Sequence, residues 1–224
     1  MNEYDRVTLD TVREDYETQA CIARGDQNLA ILGFTEHGDR HSTAVATTAQ
    51  AILTELGRPQ RLAELAGVAG YMHDLGNMIT REQHGIAAAL LARHILERLG
   101  MPLAEILEVM CAIGNHEEEY GEPVSEVAAA VILGDKSDVR FSRVREEGDV
   151  DTDIHDRVNA AARNARVDVD AEGRTITLAL QIETAVAPVM EYFEIFLTRM
   201  VMCRRAAEFL GCDFHLVIND VQVH

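Results

Sequence analysis

The stretch Gly70-Tyr71-Met72-His73-Asp74-Leu75-Gly76-Asn77 sets an adjacent His and Asp at the end of an apolar helical stripe. Leu62, Ala66, Ala69 and His73 follow one helix face, so the imidazole points inward. Polar groups placed there are costly unless something satisfies them. A neutral imidazole beside a carboxylate suits zinc, iron or manganese. The plain alternative is an exposed helix end with no role. The pair has company, however. His41 precedes it, and His84, His116 and Asp135 follow, each on the apolar face or at the end of its own helical segment. Four histidines and two aspartates suffice for one metal ion or for a bridged pair. The chain is therefore expected to fold as several short helices whose inner faces meet at polar points.

The helical pattern supports that expectation. A polar amphipathic helix is expected over about 9–32, burying Val12, Tyr16, Ile22, Leu29 and Leu32 and stopping at Gly33. A second runs over about 39–56, with His41, Val45, Thr48, Ile52 and Leu56 on one face. The third starts near Pro59 and is closed by Gly76. A fourth, over about 82–99, aligns His84, Ala88, Leu91 and Ile95. Pro102 begins a fifth, with Leu103, Ile106, Leu107 and Met110 inward, which ends at Gly114 and leaves Asn115-His116 at its mouth. Pro123 opens a sixth, whose inner face carries Val124, Val127, Ala128, Val131 and Asp135. An Asp continuing an apolar stripe needs compensation. A metal is one source; Lys136 is another, but on a helix it projects about 100° away.

The pattern changes after Gly148. A short helix is expected over about 157–164. Val167 and Val169, then Ile176, Leu178, Leu180 and Ile182, alternate with polar residues around Ala171-Glu172-Gly173, which reads as a β-hairpin. A long helix follows from Thr184 as N-cap to Leu210, and a last strand from Phe214 to Val223. The fold expected is mostly α: a helical core over 1–148 and a small α+β appendage over 149–224.

The ordered set His41, His73-Asp74, Asp135 resembles the HD-domain metal-dependent phosphohydrolases, from about Gly33 to about Arg145. The family's order is a His, then His-Asp, then a distant Asp. Some members add two histidines that hold a second metal, and His84 and His116 match that extension. The resemblance implies an HD-type helical bundle with two divalent ions per chain (Fe, Mn, Zn, Co, Ni and Mg are not distinguished), Asp74 bridging them. His41, His73 and Asp135 would complete one coordination sphere, His84 and His116 the other. Asn115 stands where signalling members that cleave cyclic di-GMP carry a further His, which argues against that activity. A few HD-fold proteins are di-iron oxygenases, and a metal-containing ligand sensor is a non-enzymatic alternative.

Lys136, Arg140, Arg143 and Arg145 form a basic run after Asp135. It reads either as a solvated helix end or as a phosphate clamp. HD enzymes commonly place a Lys after the last Asp, so the resemblance favours Lys136 as a catalytic and substrate-binding residue, with Arg143, Arg145 and Glu117 as further candidates. Asp138, one turn past Asp135, can face the same cavity, and His37 is either a partner of the site or a loop residue.

The 224 residues carry 20 Lys and Arg against 38 Asp and Glu, a formal net charge of −18. That balance disfavours nucleic-acid backbones and anionic membranes, though a local cationic pocket can still take a small phosphorylated substrate. No apolar run is long enough for a membrane span. The acidic start lacks a signal-peptide pattern. Cys21, Cys111, Cys203 and Cys212 are scattered and read as reduced thiols, so a cytoplasmic location is expected. The expected function is hydrolysis of a small phosphorylated compound, a nucleotide first among them. Apolar residues on more than one side of Val189–Leu197 favour a homodimer slightly over a purely internal core.

Overall fold

The computed structural model describes residues 6–139, 141–143 and 154–223. Arg140, Arg145 and the expected boundary at 148/149 lie outside the described residues. The order is α1 (Leu9–Glu14), α2 (Tyr16–Ile31), α3 (Asp39–Glu55), α4 (Gln60–Met72), a 3-10 turn (Leu75–Met78), α5 (His84–Leu99), α6 (Leu103–Gly114) and α7 (Glu126–Ser137). A second 3-10 turn (Phe141–Arg143), α8 (Ile154–Ala161), β1 (Ala162–Asp170), β2 (Thr175–Ile182), α9 (Val189–Phe209), β3 (Asp213–Ile218) and β4 (Val221–Gln222) follow. The chain is mostly helical, with a small four-stranded C-terminal sheet. Among the described residues no helix is long and apolar enough to cross a membrane.

The centre of the core is α3 sandwiched between α4 and α7. Glycines set how close these helices come. A Cβ on Gly70 would lie 3.0 Å from Ala46 Cα, and one on Gly134 would lie 2.9 Å from Val45 O. Backbone thus approaches backbone on both sides of Val45 and Ala46, which draws the polar ends of all three helices together. α7 is buried from Val127 through Gly134 without a break. Such a helix must be enclosed all round, and α3, α4, α6 and α9 enclose it.

The hairpin forms as expected: β1 and β2 pair antiparallel, and Ile176, Leu178, Leu180 and Ile182 point inward. α9 then returns the chain so that β3 pairs parallel with β2. α9 packs on α7 on one side and the sheet on the other. Tyr192 and Phe196 turn into the core, while Met190 and Leu197 stay exposed. The hydrophobic core runs continuously from the helices into the sheet.

Several expectations are corrected. The first helix is two, because Asp15 takes an extended conformation and caps α2, its Oδ1 accepting from Thr18 N at 2.9 Å. Tyr16 and Leu32 are consequently exposed rather than buried. Gly76 does not close α4, which ends at Met72; it lies in the 3-10 turn, pressed against α5. Leu103 and Leu107 face outward, because α6 buries Ile106, Val109, Ala112 and Ile113 instead. α7 is opened by Ser125, which accepts from Ala128 N at 3.1 Å, and Val124 is exposed before it. The short helix after the connection is set three residues earlier than expected, over Ile154–Ala161. Pro188, not Thr184, stands at the N-terminus of α9. The last strand is two, split by Asn219 and Asp220, both at positive φ.

Candidate metal centre

His41 sits in the first turn of α3, His73 at the end of α4, His84 at the start of α5, His116 just past α6 and Asp135 near the end of α7. Each of these helices delivers a donor from an end, α4 two with Asp74 directly after His73, where backbone groups are free to hold the rings. His73 Nδ1 donates to Gly70 O at 2.8 Å, His84 Nδ1 to Arg81 O at 3.0 Å and His116 Nδ1 to Ile113 O at 2.6 Å. A carbonyl can only accept, so Nδ1 carries the hydrogen in each ring and Nε2 is left as a bare lone pair. His41 Nδ1 donates instead to Asp138 Oδ2 at 2.7 Å. In their neutral form all four rings therefore turn a lone pair on Nε2 toward one centre.

The two oxygens of Asp74 divide this centre. Oδ2 lies 3.8 Å from His41 Nε2 and 3.5 Å from His73 Nε2. Asp135 Oδ1 joins that side, 3.4 Å from His41 and 3.7 Å from His73. Asp74 Oδ1 faces the other way, 3.1 Å from His84 Nε2 and 4.0 Å from His116 Nε2. His73, His116 and Asp135 form a further group that joins the two sides.

This arrangement is poor as a self-contained polar cluster. His41 Nε2, His73 Nε2 and Asp74 Oδ2 are buried without a hydrogen-bond partner. His84 Nε2 and His116 Nε2 stand 3.1 Å apart. With both Nδ1 atoms donating to carbonyls, two lone pairs face each other, which is unfavourable without a cation between them. Donors on one ion at about 2.0–2.1 Å lie roughly 3.0–3.4 Å from one another, close to the separations seen. The residues fit divalent metal. Burial pushes the His116 and His73 imidazoles below their ordinary value, which keeps them neutral. Burial and Arg143 oppose charge on His41, but Asp135 and Asp138 outweigh them and raise it. Burial likewise opposes charge on Asp74 and Asp135, yet His73 and Lys136 respectively hold them well below the ordinary carboxylate range.

A cavity of about 360 Å³ opens over the centre, lined by Asp74, His84, Asp135, Lys136, Arg143 and Glu117 among others. Lys136 is buried, and its Nζ donates to Asp135 Oδ2 at 2.6 Å. The helix-wheel expectation that Lys136 points away is corrected: its long stem bends back over its neighbour. The Arg143 guanidinium is held by Asp138 O at 3.0 Å and His37 Nε2 at 2.8 Å, so it forms a braced cationic wall. Glu117 accepts from Gly85 N at 2.6 Å and lies 3.2 Å from His84 Nδ1, so its carboxylate orients a candidate ligand. His37 and Asp138 are partners of the site in the same sense.

Phe34, Arg81 and Arg199 also line the cavity and were not marked by sequence. Arg81 had a weak signal, lying in a polar turn before His84. Arg199 had none, because it is one charge among several on an amphipathic helix far from the motif.

The HD domain family model matches residues 38–158, which includes every residue of the centre. The chain belongs to the HD domain family. Its members are mostly metal-dependent phosphohydrolases, and metal-dependent hydrolysis agrees with the donor set. No curated protein matches the chain.

Proposed function

We propose that this HD domain is a phosphohydrolase that cleaves a phosphoester or phosphoanhydride of a small compound, a nucleotide being the first class to test. The observation that carries the reading is the split of Asp74, with one oxygen toward His41 and His73 and the other toward His84. That geometry suits two ions bridged by one carboxylate. When bound, divalent metal supplies Lewis acidity toward a phosphoryl oxygen and a water nucleophile active at neutral pH. The chain's own residues do the rest. Asp138 fixes the His41 ring and Arg81 O fixes the His84 ring, with the Glu117 carboxylate 3.2 Å from the same nitrogen. Lys136 and the braced Arg143 offer positive charge where a phosphoryl group would gather negative charge. Burial of the centre excludes bulk water, which strengthens each of these interactions. The proposal extends to two ions per chain, a cytoplasmic location and a homodimer through the exposed side of α9. Arg145 stays a substrate-binding candidate from sequence alone.

The test is metal analysis of anaerobically purified protein, then a phosphate-release screen over nucleotides and phosphorylated metabolites. Stoichiometric metal with phosphate release from one class supports the reading. Four imidazoles and two carboxylates also suit a redox-active di-iron centre. Oxygen consumption with iron bound and no phosphate release would move the assignment to that reading.

A further inference from the structure

Arg199 reaches the cavity from α9, beyond the residues that match the family model. Its Nε lies 2.7 Å from Glu118 Oε1, and Glu118 Oε1 lies 3.7 Å from Lys136 Nζ. Thr198 Oγ1 donates to the other oxygen of Glu118 at 3.2 Å. One carboxylate therefore rests against two cations at the wall of a cavity that also contains Asp74, His84 and Asp135. The Arg199–Glu118 contact is close but badly aimed. Arg199 Nε is buried and makes no hydrogen bond of acceptable geometry, although the oxygen is near. The guanidinium is held from behind by the Phe196 ring, 4.5 Å from its centroid. The cation is thus fixed while its anion is not well fitted.

We propose that Arg199 and Lys136 form an anion subsite for the substrate's phosphoryl group, and that Glu118 is a tethered carboxylate occupying it until phosphate displaces it. This rests on the phosphohydrolase reading and adds a specificity residue from the C-terminal unit. A phosphate group carries more charge than a carboxylate and has three acceptor oxygens. The planar fork of Arg199 can bond two of them in parallel, which the off-axis Glu118 does not achieve. Glu118 and Arg199 side chains are each 25% exposed, so the resting pair is weak enough to exchange. Binding is then reduced by the fraction of time that Glu118 holds the subsite. The plain alternative is that Glu118 ties the loop after α6 to α9. Glu122 does that a short way along, with its Oε1 3.0 Å from Arg205 Nη1, and it does not line the cavity.

The test measures inorganic phosphate binding to the manganese-loaded full chain by calorimetry, with metal content and melting temperature checked in each variant. Arg199→Gln should weaken phosphate binding by roughly tenfold to a hundredfold, the loss of a charge-assisted contact. Glu118→Gln should tighten it by about fivefold, the upper end for a partly exposed pair. In the Arg199→Gln background the Glu118→Gln gain should shrink, because its main cation is gone. Glu122→Gln, a pure tether, should leave phosphate affinity unchanged. Weaker or unchanged binding in Glu118→Gln, or unchanged binding in Arg199→Gln, overturns the subsite while leaving the phosphohydrolase reading in place. A parent protein that binds no phosphate at millimolar concentration and releases none from any substrate overturns both.

Discussion

Replacing Asp138 by asparagine isolates the part played by one buried carboxylate that is not itself a donor to the centre. Asp138 Oδ2 accepts from His41 Nδ1 at 2.7 Å and from Arg40 Nη2 at 2.9 Å, with both His41 and Asp138 buried. Asparagine has the same shape and can still accept one bond, so His41 keeps its tautomer. Its charge is lost, and its amide meets the Arg40 donors head-on. A hydrogen bond to a charged group contributes about 1.5–3 kcal/mol and a neutral one about 0.5–1.5 kcal/mol, so the His41 side loses roughly 1–1.5 kcal/mol. The Arg40 side loses less, because that side chain is 34% exposed and keeps Glu36 at 2.7 Å. At about 1.4 kcal/mol per factor of ten, metal affinity should fall roughly tenfold. Partners of ligating histidines elsewhere cost tenfold to about a hundredfold, which bounds the effect from above. The assay is competition with a fluorescent chelator for manganese or zinc, with circular dichroism to confirm the fold. Asp168→Asn, whose carboxylate pairs with exposed Arg166 away from the centre, serves as the control. Unchanged affinity for every ion in Asp138→Asn would show that His41 is not held as a ligand through this contact, and the division of the centre around Asp74 would lose its first member.

Three further predictions follow from the same geometry. The double variant His84→Ala/His116→Ala should keep one metal where the parent holds two, whereas Asp74→Ala should lose both; a parent that never exceeds one equivalent refutes the two-ion reading. Gly76→Ala should destabilise by about 3 kcal/mol or more in urea melts and displace α5, because the added Cβ would lie 1.9 Å from His84 O; a variant of parental stability would refute that packing. Glu105 is held below its ordinary pKa by the Arg61 hydrogen bond, Nε to Oε1 at 2.9 Å. Its folded-state pKa is depressed, so its contribution is full above the unfolded value of about 4.3 and is lost as pH falls through the folded one. Glu105→Gln should thus cost about 1 kcal/mol in denaturant melts at pH 7 and progressively less below pH 4.3; a pH-independent cost would assign the effect to shape instead.

Sequence alone determined that helices would meet at polar ends. The inward positions of His41, His73 and His84, the arrival of Asp135 on an apolar stripe and the hairpin after the connection are all local periodicities, carried by residues within a few positions of each other. Caps and breaks were less legible. Asp15 divides α1 from α2 because its side chain outcompetes helix continuation, and Pro188 displaces Thr184, choices worth about 1 kcal/mol that tertiary packing readily overrides. The family resemblance already implied Asp74 between two ligand groups, but tertiary structure alone decided the distances among the six side chains, because those depend on the close approach of α3, α4 and α7 at Gly70 and Gly134. It alone bent Lys136 back onto Asp135 and brought Arg199 from α9 to the cavity. No period in the chain encodes those contacts. The Arg199 contacts join residues far apart in sequence and arise from the packing of α9 on α7, while the Lys136 contact, although between neighbours, depends on a side-chain bend that helical periodicity does not carry.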